Sequence, residues 1–216
     1  MKIGIFDSGI GGKAMAHELE LALGDNLEII IVDDHKNVPY GDKKQSEIIS
    51  LTDAAIQPLL KANCDIILIA CNTATVLAID SLRLKYPNQR FIGIKPMIRT
   101  GAKLTKSNII AVCATPATLG SDRYKKLVKK FDYNLKIIEP DCSDWAKMIE
   151  NNQINYEEIE KVINDLCDQG ADVVVLGCTH YYWIKDFIVK ICKGRARVIE
   201  PSKAVIYRVE RLLKSC

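Results

Sequence analysis

Short apolar runs alternate along the chain with stretches whose apolar positions recur every three or four residues. The runs predict strands over residues 2–6, 27–32, 65–70, 90–94, 108–113, 135–139, 172–176 and 196–199. Helical periodicity fills most gaps between them, as over 44–62, 116–130, 155–169 and 203–214. Strands that are apolar on both faces and separated by helices argue for an α/β fold with parallel sheets. In such sheets ligands bind beyond the carboxyl ends of the strands, so candidate chemistry belongs to the residues just after each run.

Two of these strand ends resemble each other. Cys64-Asp65-Ile66-Ile67-Leu68-Ile69-Ala70-Cys71-Asn72-Thr73 and Ala171-Asp172-Val173-Val174-Val175-Leu176-Gly177-Cys178-Thr179-His180 share an Asp, four apolar residues, a small residue and a cysteine, 107 positions apart. The same offset carries the strand ending at Asp7-Ser8 onto one ending at Ala114-Thr115. It carries residues 27–32 to within about a residue of 135–139, and Phe91–Pro96 to within two of Arg197–Pro201. Four matches in order predict two pseudo-symmetric, doubly wound parallel-sheet halves, over residues 1–97 and 98–202, with the active site in the cleft between them. The C-terminal helix, over 203–216, is expected to pack back on the first half. Cys71 and Cys178 should then face one another across the cleft.

Composition narrows the function classes. Over 216 residues, 48% hydrophobic and 26% charged positions are those of an ordinary globular protein. No apolar run approaches the roughly 18 residues of a membrane span. The first strand meets Asp7 too early for a signal-peptide core, so the expected location is cytoplasmic. A net charge of +3 and scattered lysines argue against a nucleic-acid partner. The densest cluster, Lys125-Lys126 with Lys129-Lys130, reads as a solvated helix face. The eight cysteines show no Cys-x-x-Cys pair and no metal-ligand spacing, so they are expected as reduced thiols with no metal.

The first strand leads into Gly9-Ile10-Gly11-Gly12-Lys13-Ala14, which satisfies the loose G-x-G-x-x-G/A pattern, with Asp33 and Asp34 ending the next strand. A dinucleotide site is one reading, although Asp7 would face the pyrophosphate. The other is a small carboxylate held by the loop's N–H groups. Ser8, Asn72, Thr73, Thr115, Thr118 and Thr179 add short neutral donors at strand ends. Any one of them reads first as a helix cap; the set reads as a ligand site.

Cys71 and Cys178 stand where a strand ends and a helix is expected to begin, a position that favours the thiolate. Asp7 and His180 are their candidate proton partners. A thiol protease would leave one cysteine idle, and a redox dithiol favours Cys-x-x-Cys. Two-base proton exchange uses both: one thiolate removes a proton from a stereogenic carbon and the opposite thiol protonates the other face.

These residues together resemble the cofactor-independent glutamate racemases. Asp7-Ser8-Gly9-Ile10-Gly11-Gly12 is similar to that family's DSG-x-GG loop, and Pro39-Tyr40-Gly41 to its PYG turn. Cys71-Asn72-Thr73 is similar to its CNT motif, Thr115-Pro116-Ala117-Thr118 to its T-x-x-T loop, and Gly177-Cys178-Thr179-His180-Tyr181 to its GCTHY motif. The chain departs from the pattern at Lys13, Ala114 and Tyr182.

The resemblance implies that Cys71 and Cys178 are the acid/base catalysts, assisted by Asp7 and His180 respectively, with Glu150 orienting the histidine. It implies that Asp7, Ser8, Tyr40, Gly41, Asn72, Thr73, Thr115, Thr118, Thr179 and His180 hold the amino acid. The activity implied is interconversion of L- and D-glutamate without a cofactor, supplying D-glutamate for peptidoglycan, in a chain that could form a homodimer. Aspartate racemases and other two-cysteine isomerases remain alternatives, as does a non-catalytic amino-acid-binding relic.

Overall fold

The computed structural model describes residues 1–24, 27–131 and 134–213. The first half contains β1 (Lys2–Asp7), α1 (Gly11–Leu23), β2 (Glu28–Asp33), α2 (Gln45–Ala55), α3 (Gln57–Lys61), β3 (Ile66–Ile69), α4 (Asn72–Lys85) and β4 (Arg90–Gly93). The second contains α5 (Ile98–Leu104), β5 (Ile109–Cys113), α6 (Pro116–Gly120), α7 (Asp122–Val128), β6 (Lys136–Ile138), α8 (Trp145–Glu150), α9 (Tyr156–Asp168), β7 (Val173–Leu176), α10 (Lys185–Cys192) and β8 (Arg197–Ile199). Helix α11 (Ser202–Leu213) ends the described chain. The expectation for residues 214–216 lies outside the described residues.

Each half forms one four-stranded, all-parallel sheet, and the strand orders correspond: β2-β1-β3-β4 and β6-β5-β7-β8. Both sheets are covered on two faces. Phe6, Ile67 and Ile69 point into one core with Ile48 of α2 and Leu59 of α3, while Ile3, Ile5, Ile66 and Leu68 point into another with Met15 and Leu19 of α1. This period-2 division of continuous apolar strands is what burial on both faces requires. Likewise Ala111, Val174 and Leu176 pack with α8 and α9, and Ile110, Val112, Val173 and Val175 with α5 and α7. Val205 and Val209 of α11 join the core of α1.

Two expected helices are interrupted. The pattern over 44–62 breaks at Ile56, because Pro58 has no N–H to donate and occupies the first turn of α3. The pattern over 116–130 breaks at Ser121, whose extended backbone restarts the helix and whose hydroxyl accepts from the Tyr124 N–H at 3.2 Å.

The strand order places a reversal of winding between β1 and β3, and again between β5 and β7. Such switch points open a crevice at the carboxyl ends of the strands. Asp7-Ser8 and Cys71-Asn72-Thr73 leave one crevice; Ala114-Thr115 and Cys178-Thr179-His180 leave the other.

Candidate active site

The two crevices meet. The Thr179 hydroxyl donates to Asp7 Oδ2 at 2.8 Å, joining the end of β7 to the end of β1. Thr73 Oγ1 lies 2.9 Å from Thr115 Oγ1 and 3.3 Å from Thr118 Oγ1, and the latter two are 3.0 Å apart. Gly41 approaches closely, since a Cβ there would lie 3.0 Å from Thr115 Cβ. Tyr40 is buried and donates its hydroxyl to Asp34 Oδ2 at 2.7 Å. Asp7, Ser8, Cys71, Asn72, Thr73, Thr115, Thr118, Cys178, Thr179, His180 and the turn's Tyr40 are all under a tenth exposed.

Cys71 caps α4: its Sγ accepts the Ala74 N–H at 3.4 Å, and the Ser8 hydroxyl donates to it at 3.3 Å. The expected lowering of its pKa by the helix terminus is overturned. Burial, reinforced by the negative charge of Asp7, pushes the Cys71 thiol up to about 12, and the Ser8 and Ala74 bonds offset only part of that. Cys178 is near enough for its charge to add to the effect.

Cys178 leads not into an α-helix but into a 3₁₀ segment, Thr179–Ile184. Its Sγ lies 3.7 Å from His180 Nδ1, and His180 Nε2 lies 2.6 Å from Glu150 Oε2 at the end of α8. Burial opposes charging the His180 ring. The bonds to Cys178 and Glu150, with the charges of Cys178 and Asp7, outweigh it and raise His180 well above the usual histidine range. Glu150 shows the converse: burial is outweighed by bonds from His180, the Ile10 N–H and His35, which hold its carboxyl down to about 2. Protonation of the ring beside the Cys178 sulfur is thereby favoured.

Asp7, the candidate proton partner of Cys71, stands at the end of the strand beside β3. Its carboxyl accepts the Gly9 N–H at 2.9 Å and the Thr179 hydroxyl, so it reaches Cys71 through charge alone. Burial pushes the Asp7 carboxyl above its ordinary value, against the opposing pull of His180 and of those two bonds.

These contacts also decide the use of the glycine loop. Its Gly9 N–H serves Asp7, and its Ile10 N–H donates to Glu150 Oε2 at 3.2 Å. A Cβ on Gly12 would lie 2.8 Å from Asp7 Cβ. The loop is closed over two protein carboxylates, which leaves these amides committed rather than open to a pyrophosphate. Asp33 and Asp34, the other half of the dinucleotide reading, are bonded to His35 and to Tyr40 and Asn37.

Asn72 stands apart from the other donors. Neither its Nδ2 nor its Oδ1 has a hydrogen-bond partner among the described residues, although Asn72 is buried. His35 is the residue that sequence reasoning missed. It bonds Glu150 Oε1 through Nδ1 at 2.5 Å, from 115 positions away in the chain. The available signal was its rarity, as one of three histidines, and its place directly after a strand end.

A family model described as Asp/Glu/hydantoin racemase matches residues 12–207. The glutamate racemase of Clostridium botulinum is 36% identical over 98% of this chain and 83% of its own length, and that of Herpetosiphon aurantiacus 32% over 98% and 84%. Among solved structures, glutamate racemase isoform RacE1 from Bacillus anthracis superposes with a TM-score of 0.84 at 26% identity, covering 99% of this chain and 81% of that one. The Francisella tularensis glutamate racemase in complex with D-glutamate gives 0.81 at 30% identity, covering 99% and 81%. With likeness of this extent in sequence and in fold, the chain belongs to the Asp/Glu/hydantoin racemase family, within which it stands among the glutamate racemases, and it is an enzyme of the isomerase class.

Proposed function

We propose that this chain interconverts L- and D-glutamate by proton exchange between two thiols. The observation that carries the reading is the pair itself. Cys71 and Cys178 leave equivalent strands of equivalent sheets, and each has its own environment for a proton. The raised pKa of Cys71 keeps that thiol protonated at neutral pH, while the Cys178 sulfur has the His180 ring 3.7 Å away as its proton partner. A protonated thiol and a thiol paired with an imidazole thus flank the site. Cys178 removes the α-proton of one enantiomer and Cys71 delivers its proton to the opposite face. The other enantiomer uses the reverse pair.

A turnover of about 10 per second corresponds to a barrier of about 16 kcal/mol, which a free thiolate does not reach against a weakly acidic α-proton. Burial supplies part of the difference, since a Cys71 thiolate formed in this environment is a stronger base than one in water. Hydrogen-bond donors to the substrate carboxylate supply more as charge builds there. The unpartnered Asn72 amide offers a donor and an acceptor side by side, which suits the carboxylate and ammonium of an α-amino acid; an unmade buried bond costs about 1–3 kcal/mol. Thr73, Thr115 and Thr118 bond one another and can exchange those bonds for a ligand's. The product would be D-glutamate for peptidoglycan, made in the cytoplasm.

Proton NMR of L-glutamate in deuterated water, with purified protein, tests the proposal. The α-proton signal and the optical rotation should decline together, with L-aspartate unchanged in parallel. Cys71→Ala and Cys178→Ala should each abolish racemisation. Exchange of aspartate alone would move the substrate to the shorter acid. Glutamate binding without any exchange would identify an amino-acid-binding relic, and full activity in both cysteine variants would exclude the thiol mechanism.

A further inference from the structure

His35 lies in a short 3₁₀ turn, His35–Asn37, directly after β2 in the first half of the molecule. Its ring stands between two carboxylates: Nδ1 is 2.5 Å from Glu150 Oε1 and Nε2 is 3.2 Å from Asp33 Oδ2. Glu150 belongs to the second half, and its other oxygen is the one that holds His180. Five side chains therefore run in series across the cleft, Asp33, His35, Glu150, His180 and Cys178.

Without His35, Glu150 would be fixed at Oε2 alone, by His180 and the Ile10 N–H. A glutamate held at one oxygen can still swing its carboxylate plane, because its terminal torsion is broad. A bond to the second oxygen fixes that plane, and with it the rotation of the His180 ring that points Nδ1 at Cys178. His35 is on β2's side of the cleft, so the bond exists only while the two halves are together.

We infer that His35 is a positioning residue which, through Glu150, aims His180 at Cys178 when the halves are closed. This rests on the two-thiol reading above. A plain surface ion pair at a ring 42% exposed would contribute little and would not discriminate between the two thiols.

The test compares His35→Ala and His35→Gln with the wild-type enzyme. The equilibrium constant of a racemisation is one, so kcat/KM must stay equal in both directions in every variant. The side of the site that is impaired shows instead in the isotope effects of α-deuterated L- and D-glutamate. His35→Ala should lower kcat about 10- to 100-fold, with KM moving less than about twofold. It should raise the isotope effect for one enantiomer only, the same one affected by His180→Asn. His35→Gln, which keeps one donor for Glu150, should recover part of the loss.

A second readout needs no substrate. The chain has three histidines, so their ring signals in nitrogen-15 NMR are few enough to assign. In His35→Ala, the His180 ring signals and their titration should move from those of the wild type, because the Glu150 carboxylate that bonds the ring has lost its second anchor. An unmoved His180 titration, or isotope effects raised equally for both enantiomers, would overturn the role of His35. Retained racemisation in Cys178→Ala would instead defeat the two-thiol reading, and the NMR comparison would still decide the positioning role.

Discussion

At Glu150 and His180, burial and hydrogen bonding pull in opposite directions, and bonding wins at both. The sign of the pH dependence follows. The Glu150 carboxyl is depressed from 4.5 to about 2, so its stabilisation is present above 4.5 and is lost as pH falls toward 2. His180 is raised above 6.5, so its contribution is complete below 6.5 and is lost as pH rises through the higher folded value. The wild type should exceed Glu150→Gln in thermal stability most between about pH 4.5 and 6.5, with the gap narrowing on both sides. Melting curves of the pair from pH 3 to 9 check it, and a gap independent of pH would show that the bridge is not ionic. Little of this was legible at the residue scale. Sequence motifs singled out Cys71, Cys178 and His180, yet Glu150 is by itself only a helix glutamate, and its role came from family resemblance. His35 carried no motif because its partner lies 115 residues away. The pKa of Cys71 was misjudged because a local rule, the helix terminus, loses to burial and to a neighbouring carboxyl.

Elements were far easier to read than contacts between them. Every expected strand formed near its expected place, since a strand buried on both faces must be a continuous apolar run and little else in the chain has that form. Helix breaks were less legible because periodicity runs through them: Ile48, Ile56 and Leu59 are all buried on the same side although a break separates α2 from α3. The two thiols also differ at this scale. Cys71 is the N-cap of a 14-residue helix, whereas Cys178 starts a 3₁₀ segment and caps nothing with its side chain. Cap and chemistry at Cys71 can be separated by substitution. Cys71→Ser should lack racemase activity, because an alcohol is far too weak an acid for the exchange, but its oxygen is a better acceptor for the Ala74 N–H. It should be more stable than Cys71→Ala by about 0.5–2 kcal/mol. Thermal unfolding of the two variants would show this, and equal stability would mean that the sulfur's contact with Ala74 contributes nothing as a cap.

On the scale of the whole molecule, the repeat at an offset of 107 residues foreshadowed two sheets of corresponding strand order, because a repeated strand–helix pattern folds to a repeated topology. How the repeats dock was not legible, since docking depends on side chains that have no counterpart at the offset. Asp7 meets Thr179, Ile10 and His35 meet Glu150, and Arg123 meets Asp80 at 2.8 Å. These contacts close the cleft over thiols that are both buried, and on the two-thiol proposal the halves would part to admit substrate and meet again for the exchange. Gly11 sits where they meet. A Cβ there would lie 2.4 Å from both Cβ and Oγ1 of Thr179 and 3.0 Å from its carbonyl carbon, so relief cannot come from rotating one side chain. Gly11→Ala should hold the halves apart at a cost of about 1–3 kcal/mol to the closed form. The Asp7–Thr179 bond would be lost, racemisation would fall steeply, and Cys71 and Cys178 would react faster with iodoacetamide. Gly120→Ala, where a Cβ meets nothing within 4 Å, is the matched control and should behave as wild type. Alkylation and α-proton exchange at wild-type rates in Gly11→Ala would mean that the contact between α1 and the Thr179 turn does not govern closure.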